Sequence, residues 1–206
     1  AGAPPPASFD DYVISYMGEI IAQQTEESVW NGAGATGDFQ GFLNTNGYLM
    51  PTGANADATV TQDAASGAYT AANIIANLQG LTESMATNIS AVLRKDDLHI
   101  YMSPKTYALY ISAVSTLGYV NAYNMNGDYV PVFEGYKIAV CNGMVDNQLI
   151  AAEKSNLFFG TDLLSDATRI TLMDMAQLDG SDNMRLVARY SGGVQSGVGA
   201  DIVRQS

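Results

Sequence analysis

The chain contains no lysine or arginine before Arg94, although the same stretch carries nine acidic residues between Asp10 and Glu83. Over all 206 residues the formal net charge is −12, and the isoelectric point is near 4.1. Clustered basic side chains are what neutralise phosphates in nucleic acids and attract proteins to anionic membranes. The sequence therefore predicts a protein with neither sequence-specific nucleic-acid binding nor membrane docking.

Cysteine and histidine occur only once each, as Cys141 and His99, which excludes an internal disulfide and a Cys/His zinc site. Cys141 ends an apolar run and is interpreted as a small buried hydrophobe. His99 lies in an alternating, strand-like segment and is interpreted as structural. Any Ser-His-Asp or Cys-His arrangement would depend on His99, and nothing near it resembles a nucleophile elbow. We therefore predict no catalytic, cofactor-binding or metal site. No apolar run approaches the ~20 residues that span a bilayer.

The strongest helical signal runs from residue 9 to residue 30, with Ser8 as the expected N-cap. Apolar side chains recur at i, i+3 and i+4 in its first part, which predicts a core-facing stripe, whereas its last two turns are polar nearly all round. Such a helix is ~33 Å long. Glu26 and Glu27 lie at its carboxyl end, where the helix dipole favours cations. A neighbouring chain is the expected source of those cations, so both glutamates are candidate inter-subunit contacts.

Residues 32–37 (GAGATG) match the letters of the dinucleotide-binding fingerprint GxGxxG. That fingerprint requires a strand before the glycines and a helix that opens on them. Here a helix precedes them, so we interpret the segment as a helix C-terminus followed by a loop.

The remaining chain alternates helical and extended patterns without a regular βα repeat, which predicts an α+β fold. A helix is expected over residues 69–85, and another begins at Ser103-Pro104, an N-cap followed by a proline at the first helical position, and ends at Gly118. Residues 44–66 are expected to be a loop or short-strand region and a candidate domain boundary, 119–129 a loop, and 178–183 a hairpin linker. The predicted strands are residues 98–102, 136–141, 148–153, 157–159, 168–175, 184–190 and a last one near Ile202.

Seven segments, in this order and spacing, resemble the major capsid protein of tailed bacteriophages and related prophages. They are residues 27–32 (ESVWNG), 39–45 (FQGFLNT), 73–78 (NIIANL), 102–107 (MSPKTY), 133–140 (FEGYKIAV), 156–162 (NLFFGTD) and 185–194 (RLVARYSGGV). Each motif is weak alone, and their succession carries the resemblance, which covers the chain from about Phe9 onward.

The resemblance implies a spine helix (9–30) in a peripheral lobe formed by residues 1–65 and 163–193. It also implies an axial lobe of mixed sheet flanked by helices, formed by residues 66–162 and 194–206. Such subunits form hexamers and pentamers that tile an icosahedral shell around DNA, with scaffold and portal proteins as further partners. The implied location is the virion capsid, after assembly in the cytoplasm of a bacterial host. An acidic wall suits this role because it repels packaged DNA.

One departure from the family pattern is expected to matter. Family members usually carry an N-terminal arm and an extended loop before the spine helix, and those segments lace neighbouring subunits together. Only seven residues precede Ser8 here, so truncation or proteolysis is expected, and oligomers are predicted for the full-length protein.

Other function classes remain open at this point. The Asn/Thr/Gly-rich loops and the low lysine content are also typical of a secreted acidic binding module, such as an adhesin or a surface-layer fragment. Cellular shell-forming nanocompartment proteins are a close variant of the capsid interpretation. An enzyme that uses His99 with a nearby acid is the third alternative.

Overall fold

The computed structural model describes residues 9–35, 37–65, 67–118, 131–162, 170–175, 180, 183–188 and 191–206. Several sequence-based expectations lie outside these ranges in whole or in part. They include the Ser8 cap, the loop at 119–129, the linker at 178–183, and parts of the strands at 168–175 and 184–190. The described residues form helices and strands in mixed order, which confirms the α+β prediction.

The described part of the chain contains three α-helices: Phe9–Asn31 (α1), Ile74–Asn88 (α2) and Pro104–Thr116 (α3). Its strands are Thr61–Asp63 (β1), Leu98–Met102 (β2), Val132–Phe133 (β3), Tyr136–Val140 (β4), Leu149–Glu153 (β5), Leu157–Gly160 (β6), Ile170–Asp174 (β7), Met184–Ala188 (β8), Gly193–Ser196 (β9) and Val203–Gln205 (β10).

Six of these strands form one mixed sheet in the order β1-β10-β5-β2-β4-β3. The pairs β1–β10 and β2–β4 are parallel, and the other pairs in the sheet are antiparallel. Two separate antiparallel ribbons, β6–β9 and β7–β8, complete the described strands.

Both faces of the six-stranded sheet are covered, and each has its own apolar core. Side chains alternate between the faces of a strand, so β2 sends Ile100 to one core and Tyr101 to the other. The first core lies under α2 and α3 and includes Leu78. The second core contains Trp30 from the end of α1, together with Phe42 and other residues of the segment that follows. Strand β5 is buried along its whole length, as expected for a strand covered on both faces.

The start of α3 follows the sequence prediction closely. Ser103 has extended backbone angles, and its Oγ accepts a hydrogen bond from the Thr106 backbone N–H at 3.2 Å. Pro104 occupies the first helical turn. A backbone N–H at that position has no partner within the helix, so proline loses no hydrogen bond there.

Helix α2 begins at Ile74, five residues later than the periodicity predicts. Asn73 closes a turn before it, because its side chain accepts from the Thr70 N–H and donates to the Ala68 carbonyl. Tyr69 belongs to the core under α2, and its hydroxyl donates to the Gln205 side chain at 3.2 Å. The apolar residue at 69 is therefore a core anchor in a turn.

The length of α1 agrees with the prediction, but its burial differs from what the sequence pattern indicates. Ser28 and Trp30 at its carboxyl end are buried, whereas Tyr12, Tyr16 and Ile20 in the apolar stripe are exposed. The prediction of a core-facing stripe is wrong for these three residues. The other described side chains of the stripe are half-buried, and none of them belongs to either apolar core. Helix α1 contacts β7.

Strands β3 and β9 were not expected from local patterns, whereas β1 lies in the region predicted to be a loop or short strands. Strand β9 begins at Gly193, where the glycine pair predicts a break, because β6 pairs with it in full register. Strand β1 pairs with β10 and therefore lies in the six-stranded sheet, directly before the expected lobe boundary between residues 65 and 66.

Candidate functional site

Glu26 is held against the loop that follows β4. Its Oε1 accepts hydrogen bonds from the backbone N–H groups of Asn142 at 2.8 Å and Gly143 at 3.4 Å. The approach of α1 to this loop requires a glycine, because a Cβ on Gly143 would overlap the Glu26 carbonyl and lie 2.6 Å from the Glu27 nitrogen. The carboxylate therefore helps to fix the carboxyl end of α1 on the sheet, and its side chain remains half-buried.

Glu27 has a different environment from its neighbour, because it is exposed. Its Oε2 accepts from the Gln24 side chain at 3.4 Å, one turn earlier in α1. In the described part of the chain neither Glu26 nor Glu27 forms an ion pair, since the two pairs found there are Lys95–Glu153 and Lys105–Asp146.

Both glutamates line an open cleft of about 580 Å³ between the end of α1 and the loop after β4. Asp146 is the third acid of this cleft and already has partners within the subunit. Lys105 Nζ donates to its Oδ2 at 3.0 Å and Ser103 Oγ donates to its Oδ1 at 2.8 Å. The hydrogen bonds from Lys105, then from Ser103, hold the pKa of Asp146 below its ordinary value of 3.8. The cleft is therefore acidic, with its one paired acid at the side nearest α3.

A second surface is the apolar stripe on α1, which is missing from the sequence-based list of candidate sites. Tyr12, Tyr16 and Ile20 are 63%, 53% and 40% exposed, and the two tyrosine rings stack with centroids 6.3 Å apart. Tyrosine combines an apolar ring with a hydroxyl that tolerates water, which is why it is common at protein interfaces. In the sequence, the signal for this surface was the presence of two tyrosines, four residues apart, in the apolar stripe.

His99 and Cys141, the residues considered for catalysis, are held in the fold by hydrogen bonding and by burial. His99 lies in β2, and its Nδ1 is 2.7 Å from the Asp97 carbonyl oxygen. Hydrogen bonds from Ser155 hold the pKa of Asp97 below its ordinary value. Cys141 is half-buried beside the second core, and burial, followed by the charge of Glu26, raises the pKa of its thiol to about 11. The thiol is therefore protonated at neutral pH and is a poor nucleophile.

The glycine-rich segment forms a loop after α1, as predicted. The Gly32 N–H bonds to the Ser28 carbonyl at the helix end, and the Asp38 carboxylate accepts from the Ala33 N–H at 2.8 Å. Searches restricted to the described residues found no group of three or more His, Cys, Asp or Glu side chains arranged for a metal ion. The same residues include no helix with the length and hydropathy needed to cross a membrane.

The class of protein is established by comparison with a family. Residues 5–187 match the model of the phage capsid family, so the chain belongs to that family. This confirms the resemblance found in the sequence, and it does not support the alternative of a secreted acidic binding module. The family points to a structural, non-enzymatic protein.

Solved structures support the same fold at low sequence identity. A structure from Mycobacterium phage Che8 is 13% identical, with a TM-score of 0.59, over 97% of this chain and 63% of that one. The capsid of an empty GTA particle is 14% identical, with a TM-score of 0.62, over 98% of this chain and 67% of that one. The satellite phage P4 procapsid, determined with its size determination (Sid) protein, is 12% identical, with a TM-score of 0.55, over 97% and 63%.

These likenesses confirm the capsid fold, and the chain spans 63–67% of the length of those three relatives. A comparison with curated proteins finds no match.

Proposed function

We propose that the protein is a structural subunit of an icosahedral phage or prophage capsid, in which its copies form hexamers and pentamers that enclose DNA. The family match over residues 5–187 carries this proposal. The exposed apolar stripe on α1 supports it, because large apolar side chains left in water on a folded subunit are typical of surfaces that become covered. Scaffold and portal proteins are the further partners proposed, with assembly in the host cytoplasm.

The net charge of −12 fits a shell that surrounds DNA without binding it. Acidic residues on the inner wall would repel the packaged phosphates and keep the DNA from adhering. In the proposed division, residues 1–65 and 163–193 form the peripheral lobe, and residues 66–162 and 194–206 form the axial lobe. The pairing of β1 with β10 joins the two parts through one sheet, so relative motion of the lobes at residue 65 would disrupt this pairing.

Glu26 and Glu27 remain the proposed inter-subunit contacts, and the cleft distinguishes their roles. Glu27 is exposed and offers its carboxylate to a cation of another subunit. Glu26 already accepts two backbone hydrogen bonds, so it contributes within the subunit as well. A cation entering the cleft would meet both carboxylates, and added salt would weaken that attraction.

Electron microscopy of the protein expressed with its natural full-length sequence tests the proposed function. We expect closed shells, or hexamers and pentamers. A strictly monomeric full-length protein would contradict the proposal.

The glutamates are tested in the same assay with Glu27→Gln and with Glu83→Gln, an exposed helix acid on α2, as the matched control. Glu27→Gln should reduce assembly and leave the free subunit as stable as before. Glu26→Gln should reduce both assembly and subunit stability. Equal assembly by the Glu27 and Glu83 variants would remove Glu27 from the contact.

A further inference from the structure

The first part of α1 and the β7–β8 ribbon form a unit that lacks a closed core. We call it the ribbon unit: residues 11–21 of α1 together with β7 and β8. No described side chain in this unit is buried, whereas both apolar cores belong to the six-stranded sheet. A two-stranded ribbon is marginal alone and needs a further apolar layer. The ribbon unit is therefore expected to gain stability when another surface covers its exposed apolar side chains.

One uncovered surface of the ribbon unit is the stripe of Tyr12, Tyr16 and Ile20, at four-residue intervals along α1. Glu19 lies exposed beside it, and the whole helix contains no basic residue. A surface that covers this stripe must therefore supply apolar side chains, and a cation would complement the acids.

The ribbon itself offers such a surface. Met173 of β7 and Arg185 of β8 are direct cross-strand partners, so they share one face of the ribbon. Met173 is 40% exposed, Arg185 is also exposed, and Arg185 forms no ion pair with a described residue. This face combines an apolar side chain with a cation that has no acid of its own in the described part.

Most other described cations fit less well, because each already has a partner. Lys95 and Lys105 form ion pairs within the subunit. Arg204 is buried and donates to the side chains of Gln62 and Gln148. Lys137 Nζ donates to a backbone carbonyl, and Lys154 lies close enough to Asp97 to lower its pKa. Arg94 lies in the turns between α2 and β2 and therefore not on the face of a strand.

We propose that the Tyr12–Tyr16–Ile20 stripe of one subunit packs on the Met173–Arg185 face of the ribbon in a second copy, with Glu19 beside Arg185. The inference rests on the proposed function, since it names the partner of an assembled subunit. The dimensions agree: the stripe is ~12 Å long and a five-residue strand is ~17 Å long. Because the two surfaces differ, the contact is head-to-tail, and in the proposed hexamers and pentamers it would repeat from copy to copy around a ring.

Crosslinking between two differently tagged proteins tests this contact in particles assembled from the full-length chain. Both proteins carry Cys141→Ser, one also carries Tyr16→Cys, and the other also carries Met173→Cys. After co-assembly and treatment with a short bis-maleimide, we expect mixed dimers in several-fold excess over the control. The control pairs Tyr16→Cys with Leu117→Cys, a 62% exposed position directly after α3.

A charge reversal provides a second measurement that does not depend on cysteine chemistry. Glu19→Arg and Arg185→Glu should each lower the yield of particles several-fold, and the double variant should recover much of it. Two results would overturn this contact and leave the proposed function intact. One is normal particle formation without the mixed crosslink. The other is a double variant whose particle yield is no higher than that of the single variants. A wild-type full-length protein that never assembles would defeat the proposed function, and this inference with it.

Discussion

The six-stranded sheet and the ribbon unit use the same kinds of apolar side chain with opposite results. In the sheet, Leu78, Ile100 and Leu149 are fully buried between strands and helices. In the ribbon unit, Leu172 and Leu186 are only half-buried, and Tyr12 and Tyr16 are exposed. The sheet therefore completes its core within one chain, and the ribbon unit does not.

This difference separates the apolar surface that is buried when the subunit folds from the surface that remains available for assembly. Burial of apolar area is the main favourable term in both processes. A subunit that buried everything on its own would have little left to gain from its neighbours. The ribbon unit leaves apolar surface of α1 exposed for assembly, while the sheet fixes the carboxyl end of the same helix through Trp30 and Glu26.

A matched pair of leucine substitutions should show the largest effect. Leu78→Ala removes a fully buried side chain from the core under α2, so it should lower the free energy of unfolding by ~2–5 kcal/mol. Leu186→Ala makes the same chemical change in β8, where the side chain is half-buried, and should lower it by about 1 kcal/mol. Urea unfolding of the free subunit measures both, and equal losses would contradict the contrast between the regions.

Two glycine substitutions, one in the loop that contacts the end of α1 and one within the first half of α1, should change stability in opposite directions. Gly143→Ala places a Cβ against the backbone of Glu26 and Glu27, so it should destabilise the subunit by ~1–3 kcal/mol. Gly18→Ala lies in the exposed half of the helix with no atom within 4 Å of the new Cβ. It should stabilise the subunit by ~0.5–1 kcal/mol, because alanine favours the helix.

Thermal unfolding of the two variants and the wild type measures this difference. Destabilisation by Gly18→Ala would show that the first half of α1 is packed more tightly than the structure indicates. An unchanged midpoint for Gly143→Ala would show that the end of α1 can move away from the loop after β4.

Local signals predicted the parts of the fold that local chemistry determines. The alternation in β2 and the Ser103-Pro104 start of α3 were read correctly, because each depends on neighbouring residues alone. Strand β9 was missed, because its pairing partner β6 is distant in sequence. The candidate site shows the same limit: Glu26 was chosen from its place in α1, but its bond to Asn142 joins residues 116 positions apart.

The apolar stripe on α1 shows why the remaining error occurred. Periodicity reveals that a helix has an apolar face, but it does not reveal whether that face meets its own chain or another one. Tyr12 and Tyr16 would satisfy either case. Only the placement of the sheet at the opposite end of the helix distinguishes them, and that placement is set by long-range contacts.

The last comparison is between the wild type and a variant at Ser103, which caps α3 and donates a hydrogen bond to Asp146 in the acidic cleft. Ser103→Ala removes the cap of α3 and one hydrogen bond to Asp146, so it should cost ~0.5–2 kcal/mol near neutral pH. Since folding lowers the pKa of Asp146, the stability linked to this group is present above its unfolded value near 3.8 and is lost as the pH falls through the folded value.

In the variant, the pKa of Asp146 should move back toward its ordinary value, although Lys105 still donates to the carboxylate. The stability difference between wild type and variant should therefore narrow as the pH is lowered below about 4, the ordinary range of the group. Denaturant unfolding at a series of pH values, with an NMR titration of Asp146, measures both effects. A difference that stays constant down to acid pH would assign the whole loss to the helix cap and none to the cleft. In that case, the hydrogen bond from Ser103 to Asp146 would contribute nothing measurable to the stability of the subunit.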